Sequence, residues 1–176
     1  MSYLPWLAGG AALGYAARRG RRAPSILVEE RPPSDAFIHE MKRDESWGSI
    51  AYDIEEWEPG DSRLWTASIQ GEDVGVAQGN SRYDESHFRL SDIFVLPFAR
   101  RRGVNNALVD TVVSSTPLPV ALSAAATHTD AQVAALLRRG WEPLSVAQAK
   151  ALGSVELEER LLSSPLPQLI YPRRRR

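Results

Sequence analysis

Between Phe88 and Val112 the chain changes character twice within a few residues. Phe88 to Leu96 (FRLSDIFVL) carries the apolar and branched residues of a strand, and Pro97 ends it. Arg100-Arg101-Arg102-Gly103 follows as a basic turn. Val104, Leu108 and Val112, with Ala107 and Thr111, then recur at helical spacing. The fold must therefore accommodate a strand that feeds a helix through a short glycine-containing turn. The first N–H groups of a helix have no internal partners, and the helix dipole makes that end attractive to anions. Glycine lets a ligand approach the backbone closely. The turn alone leaves two readings open, a pyrophosphate cradle or an ordinary strand-to-helix turn with solvated arginines.

The elements around this junction read as alternating strands and helices. Ser25 to Arg31 reads as a first strand, and Pro32-Pro33-Ser34-Asp35 breaks it and caps a helix bearing Phe37, Ile38 and Met41 on one side. Residues 44 to 62 read as a second short helix and a loop. Leu64 to Gln70 and Val74 to Gly79 flank Gly71-Glu72-Asp73, a hairpin signal. Val120 to Ala126 is short and apolar enough for a buried strand. Asp130 caps a helix from Ala131 to Arg139, and Gly140 ends it. Trp141 opens another strand-like segment, and Val155 to Leu161 is read as the last strand. This order implies an α/β fold with a mixed sheet.

Composition removes several chemistries. The 176 residues include no cysteine, so disulfides, thiolate metal sites and cysteine nucleophiles are excluded. His39, His87 and His128 lie far apart without zinc-ligand spacing, and no metal site is expected. Eight of the 21 basic residues sit in two clusters, Arg18, Arg19, Arg21 and Arg22 near the N-terminus and Arg173 to Arg176 at the C-terminus. All 22 acidic residues lie between them, so the body is acidic and the ends are basic. Such ends suit an anionic surface, nucleic acid or an acidic protein partner, and equally a solubilising flank.

The uncharged run Tyr3 to Ala17 is too short for a spanning helix, and its positive charge follows rather than precedes it, unlike a signal peptide. Residues 1–24 are therefore expected to be a docking segment for a protein partner, with Gly10 and Gly14 at close-packing spacing. Residues 25–162 form the body. Residues 163–176, with their spaced prolines and terminal arginines, are expected to be an extended tail or strap. The expected location is the cytoplasm or a large intracellular or viral assembly.

The stretch Val95 to Leu108 resembles the coenzyme A loop of the GNAT acetyltransferases, V-x-P-x-x-[QR]-x-x-G-x-[GA], with Val95, Pro97, Arg100 and Gly103 matching. The element order is similar too, and Gly140-Trp141 stands where the family's second helix ends in a glycine–aromatic pair. The resemblance covers about Ser25 to Leu162. It implies a GNAT-like mixed central sheet with flanking helices. It implies that backbone amides of Arg101, Arg102, Gly103, Val104, Asn105 and Asn106, with Arg100, hold the pyrophosphate of acetyl-CoA. Phe94, Val95 and Leu96 would pair with the pantetheine arm. The strand would splay from Val120–Ala126, with the acyl group in the gap.

Two positions depart from the family pattern. Asn105 replaces the last small residue of the loop, and Leu136 stands where many members have a tyrosine general acid. Neither Leu136 nor Leu137 can donate a proton. A base is needed to deprotonate an amine. Candidates are Asp92, Glu85, His87 and His128, and His128 or Thr129 could also substitute for the lost acid. Each also reads as an ordinary surface or strand-end polar residue. Two functions follow from the resemblance and its departures. One is N-acyl transfer from acetyl-CoA to an amine. The other is a non-catalytic GNAT-like subunit of a larger assembly, such as a virion component, held by its two ends.

Overall fold

A computed structural model describes residues 25–44, 47–58, 60, 62–81, 86–123, 130–163 and 168–172. Residues 1–24, expected to be a docking segment, and the terminal arginines lie outside the described residues. The chain opens with strand β1 (Ile26–Glu30), then helices α1 (Asp35–Lys42) and α2 (Gly48–Glu55). Strands β2 (Arg63–Ile69), β3 (Glu72–Asn80) and β4 (Phe88–Val95) follow, then helix α3 (Val104–Ser115). Strand β5 (Val120–Ser123), helix α4 (Asp130–Arg138), the short strand β6 (Glu142–Pro143), helices α5 (Val146–Leu152) and α6 (Val155–Ser163), and strand β7 (Gln168–Tyr171) complete it.

The strands form one seven-stranded sheet in the order β1-β2-β3-β4-β5-β7-β6. The pairs from β1 to β4 are antiparallel, β4 and β5 are parallel, and β7 runs antiparallel to both of its neighbours. The mixed α/β sheet expected from the sequence is thus present. The β2–β3 hairpin turns at Gln70 and Gly71, both left-handed (φ 56° and 85°), the signature of a two-residue turn that matches strand twist. The turn lies one position earlier than the sequence signal, and Glu72 and Asp73 already belong to β3.

Each face of the sheet buries its own helices. On one face α3 sets Leu108, Val109 and Val112 against Trp65, Phe88 and Leu90, and Leu136 of α4 joins them. On the other face α1 and α2 set Phe37, Met41 and Ile54 against Leu64, Val76 and Phe94. Further along that second face α5 and α6 set Ala149 and Leu157 against Ala121 and Ile170. Val104 of α3 comes so close to β3 that a Cβ on Gly75 would lie 2.9 Å from its Cγ1. The start of α3 can reach the sheet because Gly75 has no side chain there.

Two expectations are corrected. Val155–Leu161 is a helix, although Val-Glu-Leu-Glu alternates like a strand. Ser154 caps it through Oγ to the Leu157 N–H at 3.3 Å. Glu156 and Glu158 lie in its first turn, and Arg160 donates to Glu156 at 2.8 Å, one turn back. Acidic residues at the N-terminus and an i,i+4 pair both favour helix. The final strand is instead Gln168–Tyr171, within the segment read as an external strap. Its backbone is extended, but it lies inside the sheet between β5 and β6, with Leu169 buried on one face and Ile170 on the other.

Candidate functional site

The site begins with a one-residue irregularity in β4. Gln78 pairs with Asp92, but the next residue, Gly79, pairs with Leu90. Ser91 is therefore an extra residue, a β-bulge. Because side chains alternate along a strand, one extra residue exchanges the faces. Before the bulge, Phe88 and Leu90 pack toward α3. After it, Ile93 and Val95 take that face, and Phe94 and Leu96 turn to the α1–α2 side. Asp92 turns with Phe94 and stands beside Gln78 on the α1–α2 face.

Among the described residues, pairing with β5 stops at the residue before the bulge. β4 pairs with β5 only at Phe88↔Val120, Arg89↔Ala121 and Leu90↔Leu122. From Ser91 to Val95 the strand has no partner on that side among the described residues. On the other side β3 continues to bond it, ending with Leu96 N–H to Val74 C=O at 2.9 Å. Backbone groups alternate sides along a strand, so those of Val95 face the open side. There the Val95 carbonyl accepts a hydrogen bond from Arg100 Nε at 3.0 Å.

Past Val95 the chain makes a short 3-10 turn (Pro97–Ala99) and a basic loop, and then starts α3. Arg101 (φ 62°) and Gly103 (φ 88°) are left-handed. A left-handed backbone is uncommon for a residue with a side chain, and turns of this kind can aim successive N–H groups at an anion. No side chain caps α3. The first bond of its ladder runs from Ala107 N–H to the Gly103 carbonyl at 3.0 Å, so the N–H groups of Val104, Asn105 and Asn106 have no partner within the helix. A Cβ at Gly103 would meet nothing closer than Ile26 Cδ1 at 3.8 Å, which leaves the approach open. Arg101 and Arg102 are exposed and form no ion pair among the described residues, whereas Arg100 is turned back toward Val95 and Asp44. Asn105 is half-buried and Asn106 exposed.

A polar floor lies on the face shared by α1–α2 and α5–α6. Its rows are Gln78 beside Asp92 and Asn80 beside Arg89. Gln78 donates to Ser62 Oγ at 3.0 Å. Arg89 reaches Glu156 of α6 at 3.4 Å, and Asn80 Oδ1 is buried without a hydrogen-bond partner. Burial pushes the Asp92 carboxyl above the usual carboxylate range. The Arg89 charge opposes this, and the like charge of Asp53 on α2 adds to it.

Among the described residues, Asp92 is the proposed base brought to this floor; Glu85 and His128, with the proposed acid substitute Thr129, lie outside the described residues. His87 is buried, with Nδ1 3.1 Å from Ser86 Oγ. Among the strand residues, Val95 faces the opening through its backbone, while the side chains of Phe94 and Leu96 are buried against α1 and α2. Leu136 is a core residue of the α3 face. Gln78, Asn80, Arg89 and Glu156 were not singled out from the sequence. Gln78 and Asn80 carry a signal only when the register with β4 is known, and Glu156 only when its segment is known to be helical. The described residues hold no cluster of potential metal ligands, and no described helix is long and apolar enough to cross a membrane.

Comparison with known proteins agrees with this geometry. The model of the acetyltransferase (GNAT) family matches residues 26–139. Among solved structures, the chain is similar to a GNAT-family protein of Desulfovibrio desulfuricans (TM-score 0.60, 14% identity, 84% of this chain and 97% of that one). It is similar to an acetyltransferase of Thermus thermophilus (TM-score 0.61, 11% identity, 86% and 99% covered). It is also similar to the N-acetyltransferase YlbP of Bacillus subtilis, solved with coenzyme A (TM-score 0.54, 15% identity, 84% and 97% covered). At these identities the likeness is one of fold. Among curated proteins none matches the sequence significantly.

Proposed function

Because the chain belongs to the acetyltransferase (GNAT) family, we infer that it is an acyl-CoA-dependent N-acyltransferase, moving an acetyl or related acyl group to an amine. The observation that carries this reading is a convergence. The end of β4, which has no β5 partner among the described residues, runs directly into a loop with left-handed residues and a helix N-terminus without a side-chain cap. These residues fit an acyl-CoA. The amides of Gly103 to Asn106 suit its pyrophosphate, and Arg101 and Arg102 add positive charge. The outward backbone of Val95 suits an amide-bearing arm. When bound, the thioester supplies an activated acyl carbonyl.

The chain's own chemistry then rests on Asp92. It stands on the floor beside the opening and makes no hydrogen bond or ion pair among the described residues. A half-buried carboxylate with raised proton affinity is a suitable general base toward an ammonium or amine. Residues Gln78 and Asn80 line the same floor and can orient a polar acceptor. Leu136 supplies no acid, so the leaving thiolate would be protonated by another group or by water. The same substitution is what favours a second reading, a module that binds acyl-CoA without transferring from it. The family match and the structural neighbours lend no support to a virion role.

Calorimetric titration with acetyl-CoA tests the reading, with Gly103→Glu as the control. Saturable binding abolished by the substitution supports the cradle, and a screen of amine acceptors then separates transfer from binding alone. A folded wild-type protein that does not bind acetyl-CoA would overturn the enzyme reading.

A further inference from the structure

Two clusters of four arginines look alike in the sequence, Arg18, Arg19, Arg21 and Arg22 before β1 and Arg173 to Arg176 after β7. Both lie outside the described residues, but the strands to which they are joined do not, and the sheet separates their points of attachment. The first residue of β1, Ile26, pairs with Ile69, next to the β2–β3 turn at Gln70 and Gly71. β3 leaves from that turn, and its Gly75 pairs with Val95 at the end of β4. The start of β1 and the end of β4 therefore share one end of the sheet, the end from which the basic loop leads into α3. Contacts agree with this. A Cβ on Gly103 would lie 3.8 Å from Ile26 Cδ1, and Ile26 packs against the core cluster that holds Val104. β7 finishes at the opposite end, where Tyr171 pairs with Val120 and Val120 pairs with Phe88, the first residue of β4. At about 3.3 Å per residue, the run from Phe88 to Val95 puts roughly 20 Å between the two ends.

Chain length bounds the reach of the first cluster whatever path it takes. A chain spans at most about 3.6 Å per residue, so the Arg22 backbone lies within about 14 Å of Ile26 and that of Arg18 within about 29 Å. The loop beside Ile26 has use for such charge. Acyl-CoA carries a pyrophosphate and a ribose phosphate, whereas the chain between the two clusters holds 13 basic against 22 acidic residues. A body of net negative charge repels a polyanion, and cations close to the site offset that repulsion. Within the loop, Arg100 is turned back toward Val95 and Asp44, which leaves Arg101 and Arg102 exposed beside the helix start.

We propose that Arg18, Arg19, Arg21 and Arg22 are a cationic arm of the acyl-CoA site, binding the phosphates of the molecule held at the Gly103–Asn106 amides, and that Arg173 to Arg176 take no part in it. The inference rests on the reading of that loop as the acyl-CoA cradle. Arginine suits the task, because its planar fork meets phosphate oxygens two at a time. Tethering within a few residues of Ile26 keeps the arm at high local concentration around the cradle.

The test is calorimetric titration of the full chain with acetyl-CoA at about 20 mM and about 500 mM salt, between which the screening length falls severalfold. Four proteins are compared: wild type, a variant with Arg18, Arg19, Arg21 and Arg22 all changed to Gln, a variant with Arg173 to Arg176 all changed to Gln, and one with the first four changed to Lys. The two glutamine variants lose the same charge, so a difference between them reports place rather than net charge. The N-terminal glutamine variant should bind about fivefold or more weakly at low salt, with the deficit shrinking to about twofold or less at high salt. The C-terminal variant should stay within about twofold of wild type, and the lysine variant should recover most of the affinity. Equal affinity of wild type and the N-terminal variant at low salt overturns the proposal, as does an equal loss in both glutamine variants. If acetyl-CoA affinity is unchanged but the N-terminal variant alone loses binding to duplex DNA or to phosphatidylserine vesicles, the arginines serve another anion and the proposal fails. A folded wild type that does not bind acetyl-CoA at either salt overturns the reading of the loop itself, and the arm with it.

Discussion

Asp73 at the start of β3 takes the guanidinium of Arg31 at 2.6 Å and the backbone N–H of Ser34 at 2.8 Å, tying the end of β1 and the entry of α1 to the β2–β3 hairpin. Ser34 itself makes no side-chain cap, so the carboxylate of a distant residue caps the helix instead. The Asp73 side chain is 5% exposed. Hydrogen bonds to a buried charge contribute about 1.5–3 kcal/mol, so Asp73→Ala should lower stability by about 2 kcal/mol and Tm by roughly 4–8 °C. Burial pushes the Asp73 carboxyl up, but the Arg31 and Ser34 hydrogen bonds outweigh it and leave the net shift downward. Stability from a lowered carboxyl is present above its unfolded value, near pH 3.9, and is lost as pH falls through the folded one. Wild type and Asp73→Ala should therefore differ fully at neutral pH and converge in strong acid. Denaturant melts across that range would show it, and a pH-independent difference would count against the pair.

Asp92→Asn should leave the fold intact, because the side chain has no hydrogen bond or ion pair to lose among the described residues. Removal of a general base typically costs 10²–10⁴-fold, so kcat/KM should fall by about 100-fold or more while acetyl-CoA affinity stays within about twofold. In the wild type, activity should fall as pH drops through the raised Asp92 titration, above the ordinary carboxylate range. Retention of full rate by the folded variant would remove Asp92 from the chemistry.

Gly75→Ala would place a methyl 2.9 Å from Val104 Cγ1 and 3.1 Å from the Phe94 carbonyl. Overpacking of this kind costs about 1–3 kcal/mol. Val104 is the first residue of α3, so relief of the clash must move the amides of the proposed cradle. The expected result is weaker acetyl-CoA binding in addition to a lower melting temperature. Calorimetry on the folded variant at low temperature separates the two.

Truncation after Ser163 should unfold the body rather than merely detach a tail. It would remove β7, separate β6 from the sheet, and strip Leu169 and Ile170, 1% and 3% exposed, from two of the cores. It also removes Tyr171, whose ring packs edge-on at 5.7 Å from Trp141. Loss of two buried aliphatic residues alone costs about 4–10 kcal/mol, comparable to the whole stability of a domain. Circular dichroism should show no cooperative melt, and a truncated protein that melts cooperatively near the wild-type temperature would contradict this role for β7.

Sequence alone determined the parts of this protein that depend on neighbours along the chain. The passage from Phe88–Leu96 through Arg100–Gly103 into Val104–Val112 was legible because strand composition, a proline stop and helical periodicity are local signals. The same holds for the buried face of Phe37, Ile38 and Met41, for the hairpin near Gly71, and for the helix that ends before Trp141. Tertiary structure decided what depends on partners far away. Val155–Leu161 alternates like a strand, yet it is helical because Ser154 caps it and its leucine packs on β5 and β7. Gln168–Tyr171 reads as a strap between prolines, yet it becomes an interior strand because β5 lies open beside it. The position of Asp92 depends on a bulge at Ser91 that appears only when β3 and β4 are in register, and register is set by pairing between strands rather than within one. The Arg89–Glu156 contact joins residues 67 positions apart. No local pattern encodes it, since ion pairs of that kind form only after the sheet and α6 have brought the two side chains together.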